Sequence, residues 1–336
     1  MNRMMKTGHF PPGVRTALWI AVPFLCAFFA LGLGRYNIPP AEAARAVASR
    51  FTDSVEVPAA VYATIWNVRL PRILLALLVG AGLSAAGCAF QSLFANPLAT
   101  PDTLGVASGA SFGAALGILL GLSTLGIQLT SFLMGGAAVL LTWLSGMGRR
   151  GGLNTVVLSG IMIGSLFSAL VSLVKYVADS ESQLPAITYW LMGSLQAAGY
   201  ENLLWGAPPI FAGILALVLI RWRMNLLPLS EDEIRSSGVN VTLLRGTVVA
   251  AATLMTASCV SLCGQVGWVG LLVPHICRMA FGSDHRVLVP VSVSFGAAFL
   301  VIVDTLARTI SAADIPISIL TAILGAPVFV LLMRKK

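Results

Sequence analysis

Charge is scarce in this chain. Only 10% of its 336 residues are charged, whereas a soluble domain carries roughly 25%. There is too little charge to coat a water-exposed globule of this size. Lysine is rarest, present only as Lys6, Lys175, Lys335 and Lys336. None follows a glycine-rich turn, so no phosphate-cradling P-loop exists and the chain cannot bind ATP by that motif. Histidine occurs only as His9, His275 and His285, with no HExxH pattern, which excludes a zincin-type protease. A lone His275 lacks the partners of a metal site and reads as a hydrogen-bonded structural group. The cysteines Cys26, Cys88, Cys259, Cys263 and Cys277 all lie in apolar segments. They read as small buried packing residues, so the expected metal site is none. Acidic residues are nearly missing from the apolar runs. Asp304 is the main exception, one helical turn before Arg308, and it reads as a paired structural charge. That scarcity disfavours ion-coupled secondary transport, which relies on buried ionisable groups. No nucleophile and base stand in an arrangement that would suggest an intramembrane enzyme, and no catalytic residue is expected.

What is present is apolar length. Apolar residues make up 57% of the chain, and the mean hydropathy is +0.89. A membrane helix needs about 20 such residues. Runs of that order fall near 17–34, 73–94, 104–122, 126–147, 154–177, 202–220, 244–262, 264–281, 287–307 and 315–333. The runs are continuous rather than alternating, which argues against a lipid-facing barrel. The expectation is an all-α polytopic membrane protein of about ten helices, a single domain over 1–336, with 264–281 partly re-entrant. The apolar stretch from Ala17 is long for a signal sequence and reads as a retained first helix.

The net charge of +8 is a topology signal rather than a nucleic-acid footprint. With ten spans and both termini in the cytoplasm, 14 of the 21 lysines and arginines fall inside and 7 outside, the bias of positive loops staying in. Residues 35–68 and 178–200 are then external loops, and 221–245 is internal. In the third span Gly105, Gly109, Gly113, Gly117 and Gly121 recur every fourth residue. Such a stripe lets a neighbouring backbone approach closely.

Several strings then fall into one order. They are RLPRILLALLVGAGLSAAGCAFQSLFANPLATPDTLGVASGA from Arg69 to Ala110, WLMGSL at Trp190–Leu195, GQVGWVGLLVPHICRMAFGSDHR from Gly264 to Arg286, DTLAR at Asp304–Arg308, and the TAILGAPVFVLLMRK ending. In this order and spacing the chain resembles the FecCD-like permeases, the membrane subunits of type II ABC importers for iron–siderophore, haem or cobalamin. The resemblance implies ten helices, a second permease subunit (here a homodimer) and two cytoplasmic ATPases that hold the ATP and magnesium. It also implies an external substrate-binding protein, all in a cytoplasmic (inner) membrane. No cofactor is expected on this chain. The segment 221–245 resembles the loop that couples to the ATPase, with Glu231, Asp232, Glu233, Gly238 and Val239 as its marked residues. Ile234 and Ser237 depart from the family's usual small and apolar residues. Gly238 is expected at a tight turn between two short helices. Arg69, Arg72 and Arg308 match family arginines that dock the binding protein, and are expected to form an exposed positive patch. The second, fifth, eighth and tenth spans approach the centre in the family, making Gln91 and Asn96 of the second, with Ser159, Gly160, Gly164, Ser165 and Ser168 of the fifth, candidates for the path.

Overall fold

The computed structural model describes residues 12–52, 56–146, 152–311 and 313–334. Among these residues every regular element is a helix. Helix α1 runs Pro12–Gly32 and α2 runs Pro40–Ala48. Helix α3 extends through Ala59–Leu93. Then come α4 (Val106–Leu119), α5 (Thr124–Gly146), α6 (Leu153–Val177), α7 (Gln183–Leu191) and α8 (Tyr200–Ile220). The chain closes with α9 (Glu231–Ser236), α10 (Val241–Cys263), α11 (Val269–Phe281), α12 (His285–Ile310) and α13 (Ile317–Met333). Six of the described helices are long and apolar enough to cross a membrane, and four more are shorter apolar helices. Each of the ten falls on one of the ten expected runs.

Two expectations change. The second span begins at Ala59, not near residue 73, so RLPR lies inside a helix rather than before one. A wider π turn at Thr64–Arg69 sits just ahead of Pro71. Proline lacks the N–H that would continue the ladder, and a widened turn absorbs the interruption without ending the helix. The 178–200 segment is likewise not a plain loop. Helix α7 occupies part of it, and Ser194 then donates to the Cys263 carbonyl at 2.8 Å while Ile317 donates to that of Gly193 at 3.0 Å.

Helix α3 is the hub. It is buried along most of its length and packs against α12, α10, α11 and α8. Glycines make this possible. A side chain at Gly80 would overlap the Gly296 carbonyl of α12, and one at Gly87 the Gly270 carbonyl of α11. The stripe in α4 does the same work: Gly109, Gly113 and Gly117 abut Met134, Thr130 and Ile127 of α5. Between membrane helices, where lipid tails are as apolar as leucine, close backbone approach supplies the dispersion energy that holds the bundle.

The span expected at 264–281 is helical only over its last 13 residues. At 1.5 Å per residue that is about 20 Å, short of the roughly 30 Å hydrocarbon core. The preceding residues 264–268 are irregular, and Trp268 holds a left-handed φ of 68°. Its ring lies edge-on to Phe329 of α13 at 6.4 Å, which fixes the turn into α11.

Candidate functional site

Two clusters of polar residues stand at opposite ends of the bundle. At the first, the C-terminus of α1 runs into the start of α3 and the end of α12. Helix C-termini leave carbonyls without intrahelical partners and carry a partial negative charge. Arg69 Nη1 donates to the carbonyls of Leu31 at 2.5 Å and Gly32 at 3.0 Å. Its Nη2 donates to the Tyr36 carbonyl. Arg308 Nη2 donates to the Ala30 carbonyl at 2.5 Å. Two arginines thus cap one helix end.

Arg72 faces the other way around this cluster. Its Nε donates to Asp304 Oδ1 at 2.8 Å and its Nη1 to Asp314 Oδ2 at 2.6 Å. Asp314 also accepts from Arg35 at 2.9 Å, and Asp304 lies 3.7 Å from Arg308. Partial burial pushes the Asp314 carboxyl upward, but the Arg72 hydrogen bond and charge outweigh it and hold the group below its ordinary range. Arg35, Arg72 and Arg308 share two carboxylates here, and carbonyls at the end of α1 and just beyond it serve Arg69 and Arg308.

The expected surface patch is therefore not formed. Arg69 is 5% exposed and Arg308 is 8% exposed, and the Arg72 side chain is 11% exposed. In this structure the hydrogen bonds from Arg69 and Arg72, and the Arg308 bond to Ala30, are spent on carbonyls and carboxylates of the chain itself. The sequence contained the alternative, the Arg308–Asp304 pair at helical spacing. It gave no sign that a distant loop aspartate, Asp314, and the end of α1 would complete the enclosure.

The second cluster is the 221–245 segment. A short 3₁₀ turn at Arg223–Leu226 leads to α9. Ser230 caps α9: its Oγ accepts from Glu233 N at 3.4 Å, and its own N–H donates to Glu233 Oε2 at 2.9 Å. This reciprocal box satisfies two orphan donors. The Ser230 hydroxyl also donates to Glu233 Oε2 at 2.7 Å, and that bond, with the one from the Ser230 N–H, holds the Glu233 carboxyl below its ordinary range. Glu231 reaches across to Arg245 of α10 at 2.5 Å. Asp232 and Glu233 remain exposed. Gly238 sits at φ 74°, between one short helix and the start of a long span rather than between two short helices. A side chain there would meet open space, so the constraint is the left-handed backbone and not crowding. Val239 is half-buried against the core. Ile234 is fully buried and is the apolar anchor of α9.

The path candidates separate. Gly160 and Gly164 of α6 lie against the 103–105 turn, and Ser159 is buried beside them. Ser165 and Ser168 point to an exposed face, where each Oγ returns to a carbonyl one turn back, at 2.8 and 2.9 Å. Gln91 and Asn96 are elsewhere, lining a cavity beside α11 and the start of α12. One acid escaped sequence reasoning altogether. Asp102 accepts from the N–H groups of Ala107 at 3.0 Å and Ser108 at 3.4 Å, at the start of α4. It shares a cavity of about 190 Å³ with Thr256, Gln265 and Trp268. An acid four residues ahead of an apolar helix was the available signal.

Among the described residues the structure is an all-helical bundle of long and short apolar helices with a capped polar segment at one end. The sequence matches the FecCD transport family over residues 22–335, and the chain belongs to that family. It is 40% identical over 312 residues to the molybdate import system permease protein MolB of Haemophilus influenzae, covering 93% of this chain and 92% of that protein. It is 39% identical over 274 residues to the "Probable iron chelatin transport system permease protein" of Helicobacter pylori, covering 81% and 82%. The fold superposes with a TM-score of 0.87 and 37% identity on an inward-facing structure of a metal-chelate type ABC transporter, covering 97% of this chain and all of that one. The chain is a non-catalytic permease subunit, and its all-helical fold is that of an ABC importer permease.

Proposed function

We propose that this permease moves a metal chelate of the iron–siderophore class inward across the cytoplasmic membrane, by alternating access within a homodimer. Haem and cobalamin are the neighbouring alternatives. A separate ATPase supplies the energy and an external binding protein delivers the cargo. The observation that carries the reading is the 221–245 segment. A capped helix, pinned to α10 by Glu231–Arg245 and anchored by Ile234, presents Asp232 and Glu233 to solvent on a rigid mount. Function on a loop held by a scaffold is the general arrangement for partner recognition.

Docking of the binding protein then falls to cations that do face solvent at the Arg69 end. Arg45 and Arg50 are exposed there, and Arg50 is steadied by a 2.9 Å hydrogen bond to Tyr62. The exposed serine face of α6, with Ser165 and Ser168, suits the path because it offers polarity without a fixed charge. Molybdate is the second reading, favoured by the H. influenzae relative that matches along nearly the whole chain. Uptake of radiolabelled ferric siderophore, haem, cobalamin and molybdate by cells carrying the chain with its neighbouring ATPase and binding-protein genes separates these. Siderophore-dependent iron uptake supports the proposal. Uptake of molybdate alone replaces it with the second reading.

A further inference from the structure

At the 221–245 end, a cavity of about 440 Å³ opens between the end of α3, the end of α11 and the start of α12. Its polar lining comprises Gln91, Ser92, Asn96, His275, Arg278, Ser283 and His285. Among the described residues no carboxylate lines it, and the full charge on its wall is the Arg278 guanidinium. Pro228 of the coupling segment forms part of the same wall.

The histidine is committed elsewhere. Asn225 Oδ1 accepts both the His285 backbone N–H at 2.9 Å and the ring Nδ1 at 2.7 Å. Nδ1 therefore donates, and Nε2 meets Ser92. His285 frames the cavity rather than serving as a free ligand. Two other groups are uncommitted among the described residues. Arg278 Nε and Nη2, the edge of the guanidinium that grips two oxygens at once, have no hydrogen-bond partner. Gln91, 2% exposed, uses its Nε2 on the Leu271 carbonyl at 3.1 Å, while its Oε1 has none. Buried polar groups are normally paired, and a cation in low dielectric is the costliest to leave alone.

We propose that this cavity binds a phosphate group, with Arg278 as its principal ligand and Asn96 and Ser283 as flanking donors. Arginine favours phosphate because its planar fork matches two oxygens. Basic pockets between membrane helices commonly take the headgroups of anionic lipids. The mouth here fits that source. Met279, 43% exposed, lies on the cavity wall, and Ile276 on the same helix is also exposed, so an acyl chain finds apolar surface beside the charge. Free inorganic phosphate offers the same chemistry without the chain.

The test uses the full-length protein purified in detergent and stripped of lipid. It is supplemented separately with phosphatidylglycerol, with diacylglycerol of the same chains, or with inorganic phosphate against chloride at equal ionic strength. Retention is read by native mass spectrometry and binding by the shift in thermal midpoint. Phosphatidylglycerol retained in preference to diacylglycerol supports a lipid source, and a shift with inorganic phosphate supports a free one. Arg278→Gln should weaken either by about tenfold, the scale of one charged hydrogen bond. Should that variant fold poorly, Ser283→Ala serves, with a loss of about fivefold. Equal retention of diacylglycerol, no response to either phosphate, or full binding by Arg278→Gln overturns the site.

Discussion

The two polar ends of this permease handle charge in opposite ways. At the Arg69 end, Arg69, Arg72, Arg308 and Asp304 are turned inward, with Asp304 only 1% exposed, while Arg35 pairs with Asp314 from the exposed rim. At the 221–245 end, the acidic run of α9 is turned outward and only its apolar anchor is buried. The first arrangement stabilises through desolvated hydrogen bonds that are costly to break singly. The second contributes little stability, because exposed ion pairs are worth at most about 1 kcal/mol, but it leaves charge available to a partner. The lesson is that arginine at a membrane edge is not by itself a docking signal. A helix C-terminus nearby can claim it first.

The strongest way to break this comparison is to remove Asp304. Asp304→Asn leaves Arg72 and Arg308 with one fewer buried anion, and should cost about 3–5 kcal/mol. Denaturant melts in detergent would read it as a lower midpoint with poor recovery of folded protein. An unchanged midpoint would mean that the enclosure is not the stabilising device described. The double charge reversal Arg69→Glu with Arg72→Glu should act the same way, as loss of folded protein. The alternative outcome, normal folding with a selective loss of binding-protein affinity, would restore those arginines as docking residues.

Next in size is Ile234→Ala at the other end. Truncating a buried isoleucine costs about 2–5 kcal/mol where the whole fold depends on it. Here the loss should stay local. Hydrogen exchange should quicken across residues 229–240, while the membrane core keeps its protection. ATPase stimulation should fall in the assembled transporter. Protection lost throughout the bundle would contradict the independence of the two ends.

Gly238 sharpens the point further. Since a side chain there meets open space, Gly238→Val should cost about 1–2 kcal/mol from the left-handed backbone alone. Gly238→Asn should cost less, because asparagine tolerates that region. Coupling of ATP hydrolysis to uptake is the measurement, and a strong dependence on side-chain volume rather than on type would point to crowding by a partner.

The smallest effect is one of acidity. Asp314 has a folded-state value below its ordinary 3.8. Its contribution is therefore fully present above that ordinary value and is lost as pH falls through the lower, folded one. Thermal midpoints followed from neutral pH downward should be flat and then drop below about pH 4. Asp314→Asn should flatten part of that drop.

Much of this protein was legible in its residues, because hydropathy over a span is a local sum. Ten apolar runs, the missing P-loop, the acidic run at Glu231–Glu233 and the special place of Gly238 each depend on a handful of neighbours in sequence. The limits of that reading lie where distant segments meet. That RLPR sits inside a helix depended on a π turn able to absorb Pro71. That Arg69, Arg72 and Arg308 are buried depended on the end of α1, some 40 residues before Arg69, and on Asp314 some 240 residues beyond Arg72. That Gln91 and Asn96 share a cavity with Arg278, away from Ser165, depended on α3 crossing α11 and α12. Composition and spacing determined which segments enter the membrane, since each residue's transfer from water is set by its own side chain. Which charges face a partner and which are consumed inside was decided only by tertiary packing, because a hydrogen bond requires two groups within about 3 Å, and sequence does not state which groups those will be.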